Sequence, residues 1–141
     1  MNGYVWISGE SDENPGPAGI GVLIKGEHGE VLSYVSEYLG RLTRSAAEYQ
    51  ALIAALTEAK RLRLENLVVY TDSMFVRQQL KGLLKHRAKH LEPLVLMVKQ
   101  LMRTFQGVEL VAVDRNQNQE AERLAWNAIQ SARSARKPAP K

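Results

Sequence analysis

The sequence predicts a single α/β domain built on a mixed five-stranded sheet with helices on its faces. Three observations lead there. Three β-patterned segments follow one another over residues 1–40, joined by short connections. Helical spacing begins at Thr43. Two later β-rich runs are each reached through a helical stretch. Short connections pair strands antiparallel, whereas strand–helix–strand crossovers force parallel pairing. Strands one to three are therefore expected to be antiparallel, and strands one, four and five parallel.

Each element has its own warrant. Tyr4, Trp6 and Ser8 alternate with Val5, Ile7 and Gly9, the period of a strand. Asn14-Pro15-Gly16-Pro17 ends it, because proline fixes φ and removes a donor. Ala18 to Lys25 is the second strand, and Gly19 and Gly21 mark close backbone approach or a bulge. His28-Gly29 signals a turn into Val31 to Leu39, the third strand. From Thr43 to about Arg63, Tyr49, Ile53 and Leu56 share one helical face, with Leu52, Ala55 and Ala59 beside it. Leu67 to Tyr70 is a fourth strand, and Asp72-Ser73 caps a helix to about Leu80. Leu91 to Phe105 is an amphipathic helix with Pro93 in its first turn. Val108 to Val113 is the fifth strand, and Gln119 to about Ala132 the last helix. Trp126 is expected to pack against the sheet. Residues 1–133 form the expected domain, and the basic tail, residues 134–141, is expected to be disordered.

Composition narrows the function classes. The chain of 141 residues has no cysteine, so it carries neither a disulfide framework nor a cysteine zinc site. It has no long apolar run, and its first residues lack a basic flank before an apolar core. A cytoplasmic location is the expectation. The net charge of +4 is unevenly spread. Residues 1–40 hold one Lys against six acids, while residues 41–141 hold 18 basic and 9 acidic groups. Such asymmetry points to a polyanion, with an uneven solvated surface as the plain alternative.

Two acids fall where an α/β fold binds ligands. Asp72 follows a parallel strand and opens a helix, and Glu48 lies in the first long helix. Taken alone, Asp72 is also readable as a helix cap, and Glu48 as a solvated first-turn acid.

The surrounding motifs bear on that choice. They are Ser8-Gly9-Glu10-Ser11 with Asn14 through Gly19, Thr43 with Ala47-Glu48-Tyr49 and Ala51-Leu52, Thr71-Asp72-Ser73, and Arg115, Asn118 and Ala121 through Ala125. In this order and spacing the chain resembles the type 1 ribonuclease H family. The resemblance implies a ribonuclease H-like fold and cleavage of the RNA strand of RNA–DNA hybrids. It also implies two Mg²⁺ or Mn²⁺ ions held by acidic side chains, which suit hard cations. It makes Glu48, Asp72 and Glu122 the catalytic, metal-holding residues. The family's first acid, an Asp, is Ser8 here, and the fourth, also an Asp, is Glu122. A serine hydroxyl is neutral and a poor bridging ligand. Glu10 shares the strand face of Ser8 and is the candidate substitute.

Substrate contacts follow from the same resemblance. Asn14 matches a position touching the RNA strand, and Thr43 one holding a DNA phosphate. Arg44-Ser45 replaces an Asn-Asn pair that lies in the minor groove, leaving Arg44 as a phosphate contact. Arg77, Lys81 and Lys85 lie in a basic stretch that reads either as a phosphate contact or as a solvated face. The expected function is binding of an RNA–DNA hybrid or related duplex, with weak or absent cleavage. The alternatives are an active metal-dependent endoribonuclease and a protein-interaction domain without nucleic acid.

Overall fold

The computed structural model describes residues 1–82 and 88–136. Lys85 lies outside the described residues, as does the end of the basic tail. The chain runs β1 (Asn2–Ser11), β2 (Gly16–Lys25), β3 (Val31–Leu42), α1 (Arg44–Arg61), β4 (Asn66–Thr71) and α2 (Met74–Leu80). A 3₁₀ turn at Lys89–Leu91 leads into α3 (Glu92–Met102). Then come β5 (Gly107–Ala112), a second 3₁₀ turn at Arg115–Gln117 and α4 (Gln119–Arg136). The last helix thus extends past the end expected at Ala132. Arg133 near that end pairs with Asp12 in the β1–β2 connection.

The sheet order is β3-β2-β1-β4-β5. β1 and β3 pair antiparallel with β2, and β4 pairs parallel with both β1 and β5. This is the mixed sheet that the crossovers predict. Its two faces are set by the period of two. Val5, Ile7, Ile20, Val22, Ile24, Leu67 and Val69 form one buried face. Leu52, Ala55, Leu56 and Ala59 of α1 cover it, and Val95 and Val98 of α3 join the same core beside α1. The opposite face of β2 meets α4: a Cβ on Gly21 would lie 1.9 Å from the Ala121 carbonyl oxygen. Beside the start of α4, Trp6 and Tyr70 stack with ring centroids 4.8 Å apart, and the Lys25 ammonium lies over Trp6. Among the described residues no helix is long and apolar enough to cross a membrane.

One contact in this packing places the candidate site. A Cβ on Gly9 would lie 2.3 Å from the backbone of Ala47 and Glu48. Only a residue without a side chain lets the first turns of α1 settle onto β1 there. That approach sets Glu48 beside the end of β1, where Ser8 and Glu10 stand. Gly9→Ala is expected to cost about 1–3 kcal/mol, the usual range for forcing extra atoms into a packed interior. Urea unfolding of the variant checks the loss, and an unchanged midpoint would contradict the close approach.

Candidate functional site

The site forms where β1 and β4 end, at the carboxyl edge of the parallel strands. Thr43 caps α1, its hydroxyl accepting from the Ala46 N–H at 3.2 Å. The Asn14 side-chain oxygen accepts from the Arg44 N–H at 3.0 Å, which ties the β1–β2 connection to the helix start. On the other flank, the buried Asn118 donates its amide to the Ile7 carbonyl at 2.7 Å. The 3₁₀ turn bearing Arg115 is braced by a capping box between Asp114 and Gln117. Arg44 and Arg115 are therefore carried on backbone fixed from both sides of β1.

The helix after β4 is capped by Ser73 and not by Asp72. The Ser73 hydroxyl accepts from the Val76 N–H at 3.2 Å. Capping as the sole role of Asp72 is thus set aside. Asp72 lines an open cleft of about 560 Å³ with Arg44, Met74, Ala112, Val113, Asp114, Arg115 and Gln117. Ser73 also serves the site directly, because its hydroxyl donates to Glu48 Oε2 at 2.6 Å.

The acids are held by donors. Glu10 is only 3% exposed. Ser8 donates its hydroxyl to Glu10 Oε1 at 3.2 Å. The same oxygen lies 3.8 Å from Arg44 Nη2 and 3.9 Å from Arg115 Nη2. Arg44 Nε also lies 3.4 Å from Glu48 Oε1. Arg115 grips Glu122 through Nε and Nη2, the latter at 2.7 Å. That grip, and the charge behind it, raises the Arg115 pKa further.

Burial dominates the ionisation of both inner acids. Desolvation raises the Glu10 pKa, against the pull of Arg44, Arg115 and the Ser8 hydrogen bond. Desolvation likewise pushes Glu48 up to about 7, offset in part by Ser73 and Arg44 and reinforced by Asp72 and Glu10.

The structure therefore gathers Ser8, Glu10, Arg44, Glu48, Asp72 and Glu122 at one edge of the sheet, with Asn14 and Thr43 beside them. It does not bring three acids together around one point. Among the described residues, no group of three or more His, Asp or Glu side chains converges closely enough to hold a metal ion. The basic stretch is divided. Arg77 Nε donates to the Leu110 carbonyl at 3.3 Å, bracing α2 against β5, while Lys81 is exposed at the end of α2. Trp126, expected against the sheet, is half-buried and lines a groove with Arg115, Glu122 and Arg123. Sequence reasoning misses the roles of Arg115, Ser73 and His90. His90 lies within 3.0 Å of the Thr43 hydroxyl, although 47 residues separate the two. The place of Arg115 in the motif that ends at Ala125 is the signal that points to the first of these.

A family model described as reverse transcriptase-like matches residues 7–128. The chain belongs to this family. The domain has the ribonuclease H-like fold of its structural neighbours. It is 35% identical over 133 residues to a bifunctional protein of Mycobacterium tuberculosis. The alignment covers 94% of this chain but only 36% of that relative. The N-terminal RNase H domain of the M. tuberculosis protein superimposes with a TM-score of 0.87 at 32% identity, over 92% of this chain and 99% of that one. Ribonuclease HI of Halobacterium salinarum is 32% identical over 92% of this chain and 65% of its own length. The crystal structure of the H. salinarum enzyme gives a TM-score of 0.90 at 29% identity, over 93% of this chain and 99% of that one. A third neighbour, an RNase H1 isolated from compost, was solved with an RNA/DNA hybrid. It gives a TM-score of 0.86 at 31% identity, over 92% of this chain and 98% of that one.

The raised pKa of Glu48 has a testable sign. Between its ordinary value of 4.5 and about 7, the folded chain keeps a proton on Glu48 that the unfolded chain has released. Stability from this group is thus full at low pH and declines as pH rises toward 7. Glu48→Gln removes that decline. Melting temperatures measured from mildly acidic to mildly basic pH should fall less for the variant, which should be the more stable form on the basic side. Parallel curves for the two proteins would contradict the assignment.

Proposed function

We propose that this protein holds an RNA–DNA hybrid or a related duplex and cleaves it weakly or not at all. The observation that carries the reading is the state of the first acid position. Ser8 supplies a hydroxyl there, and that hydroxyl is committed to Glu10. Glu10 does not stand free as a replacement ligand, because Arg44 and Arg115 flank it as well. Mg²⁺ takes near-octahedral oxygen ligands at close to 2.1 Å, a demand that a serine hydroxyl and arginine-paired carboxylates meet poorly. The duplex comes from the neighbour solved with an RNA/DNA hybrid. It is supported by Asn14, Thr43 and Arg44, which lie together at the rim of the cleft.

One observation favours the active reading. Asp72 is released from capping and lines the cleft, where a nuclease of this family needs an acid. In that reading Glu48, Asp72 and Glu122 hold Mg²⁺ or Mn²⁺.

A labelled RNA–DNA hybrid, incubated with Mg²⁺ and then with Mn²⁺, separates the two. The natural protein is expected to bind the hybrid, with affinity falling steeply as salt is added, as phosphate contacts require. It is expected to leave the RNA strand intact or nearly so. Ser8→Asp should not restore cutting, since an aspartate there faces Glu10 with no proton to donate. Efficient cutting that Asp72→Asn abolishes would establish the nuclease. Absence of salt-dependent binding would remove nucleic acid as the partner.

A further inference from the structure

We propose that Arg44 and Arg115 are the resident cations of this cleft, and that they grip a duplex phosphate without any divalent metal. The inference rests on the duplex-binding reading and says how the grip is made.

The cleft has four acids at its edge, Glu10, Glu48, Asp72 and Glu122, and no phosphate enters such a place unless positive charge precedes it. Two guanidiniums supply that charge. Arg44 lies against Glu10 and Glu48, and Arg115 against Glu10 and Glu122. Glu10 is the shared centre, and the Ser8 hydroxyl completes its shell. Ser8 and Glu10 are thus a matched pair. An acid at position 10 needs a donor at position 8, and an Asp at position 8 would put two carboxylates together in a buried place.

This arrangement excludes a metal by occupancy and charge. A divalent ion at Glu10 would sit against two guanidiniums that cannot be deprotonated. Like charges a few ångströms apart repel strongly where water is scarce. Moving the guanidiniums aside would break their pairing with Glu10, Glu48 and Glu122. The backbone that carries them is itself fixed, Arg44 at the first residue of α1 with its N–H tied to Asn14, and Arg115 in the braced 3₁₀ turn.

Both guanidiniums nonetheless reach solvent. Their side chains are 43% and 55% exposed, and both line the cleft of about 560 Å³. A guanidinium carries five N–H donors in a planar fork. Arg115 commits Nε and Nη2 to Glu122, which leaves donors on its other edge. That edge suits a phosphate oxygen, a group a guanidinium binds through charge-assisted hydrogen bonds. The acids behind the arginines hold them in place, and Asp72 and Asp114 on the cleft wall admit the anion only where the guanidiniums stand.

The test is fluorescence anisotropy of a labelled RNA–DNA hybrid with the natural protein, in EDTA and in Mg²⁺ at matched ionic strength. The hybrid should bind in EDTA at least as tightly as in Mg²⁺, since no divalent ion takes part in the contact and Mg²⁺ only competes for the phosphates. Arg44→Gln and Arg115→Gln should each weaken binding about tenfold, the effect of losing one charge-assisted contact. Arg115→Lys should recover only part, because it keeps the charge and loses the fork. Circular dichroism and melting confirm that each variant is folded, and the EDTA comparison needs no variant at all. Binding that appears only with Mg²⁺ overturns the proposal and leaves the duplex reading standing. Folded Gln variants that bind as the natural protein does overturn it too. No binding in either buffer overturns both.

Discussion

A buried carboxylate at Glu10 is the constraint on which the site depends. An ionised carboxyl removed from water costs several kcal/mol unless donors surround it. Here the Ser8 hydroxyl donates to it, and the guanidiniums of Arg44 and Arg115 pair with it by charge at 3.8 and 3.9 Å. Each partner then fixes something else. Ser8 has to be a donor and not an acid. Arg44 has to stand at the very start of α1, which the Asn14 hydrogen bond and the Gly9 approach secure. Arg115 has to be presented by the turn before α4, which the capping box and the Asn118 bond to β1 secure. The serine at the first acid position and the glutamate two residues later therefore depend on each other.

Much of this fold is legible in the sequence because local pattern and topology agree. Alternation gives β1 to β3, helical spacing gives α1, and crossovers force β4 and β5 to lie parallel to β1. Helix ends are less legible. α4 continues to Arg136 because nothing in Ala132 to Ala135 breaks a helix. The gathering of Ser8, Glu48, Asp72 and Glu122 is legible through motif resemblance. Which side chain holds which is not. Asp72 and Ser73 are adjacent and both make good caps, so only the structure separates the cap from the cleft residue. Arg115 and Glu10 are more than a hundred residues apart, and no periodicity reports a pairing across a sheet. Trp126 departs from expectation for a similar reason. It lies one helical turn after Glu122, and that face of α4 opens on a groove.

Family membership and this chain's own residues contribute different things. Membership of the reverse transcriptase-like family accounts for the sheet, the helix placement and the edge at which the acids meet. Arg115 stands within the motif that carries the resemblance, whereas Arg44 stands where the resemblance expects Asn. On the proposed reading, the two arginines give this edge its own positive charge. The cost falls on Glu48, whose carboxyl is left in a dry setting with only a hydroxyl and part of one guanidinium to hold its charge.

The most direct measurement is the electron paramagnetic resonance spectrum of Mn²⁺ titrated with the natural protein in the absence of nucleic acid. If Arg44 and Arg115 hold the cleft, Mn²⁺ keeps the sharp six-line signal of the free aqua ion as protein is added. A stoichiometric loss of that signal, reversed by Mg²⁺ and absent in Asp72→Asn, would show a metal centre where the two guanidiniums stand, and would contradict the claim.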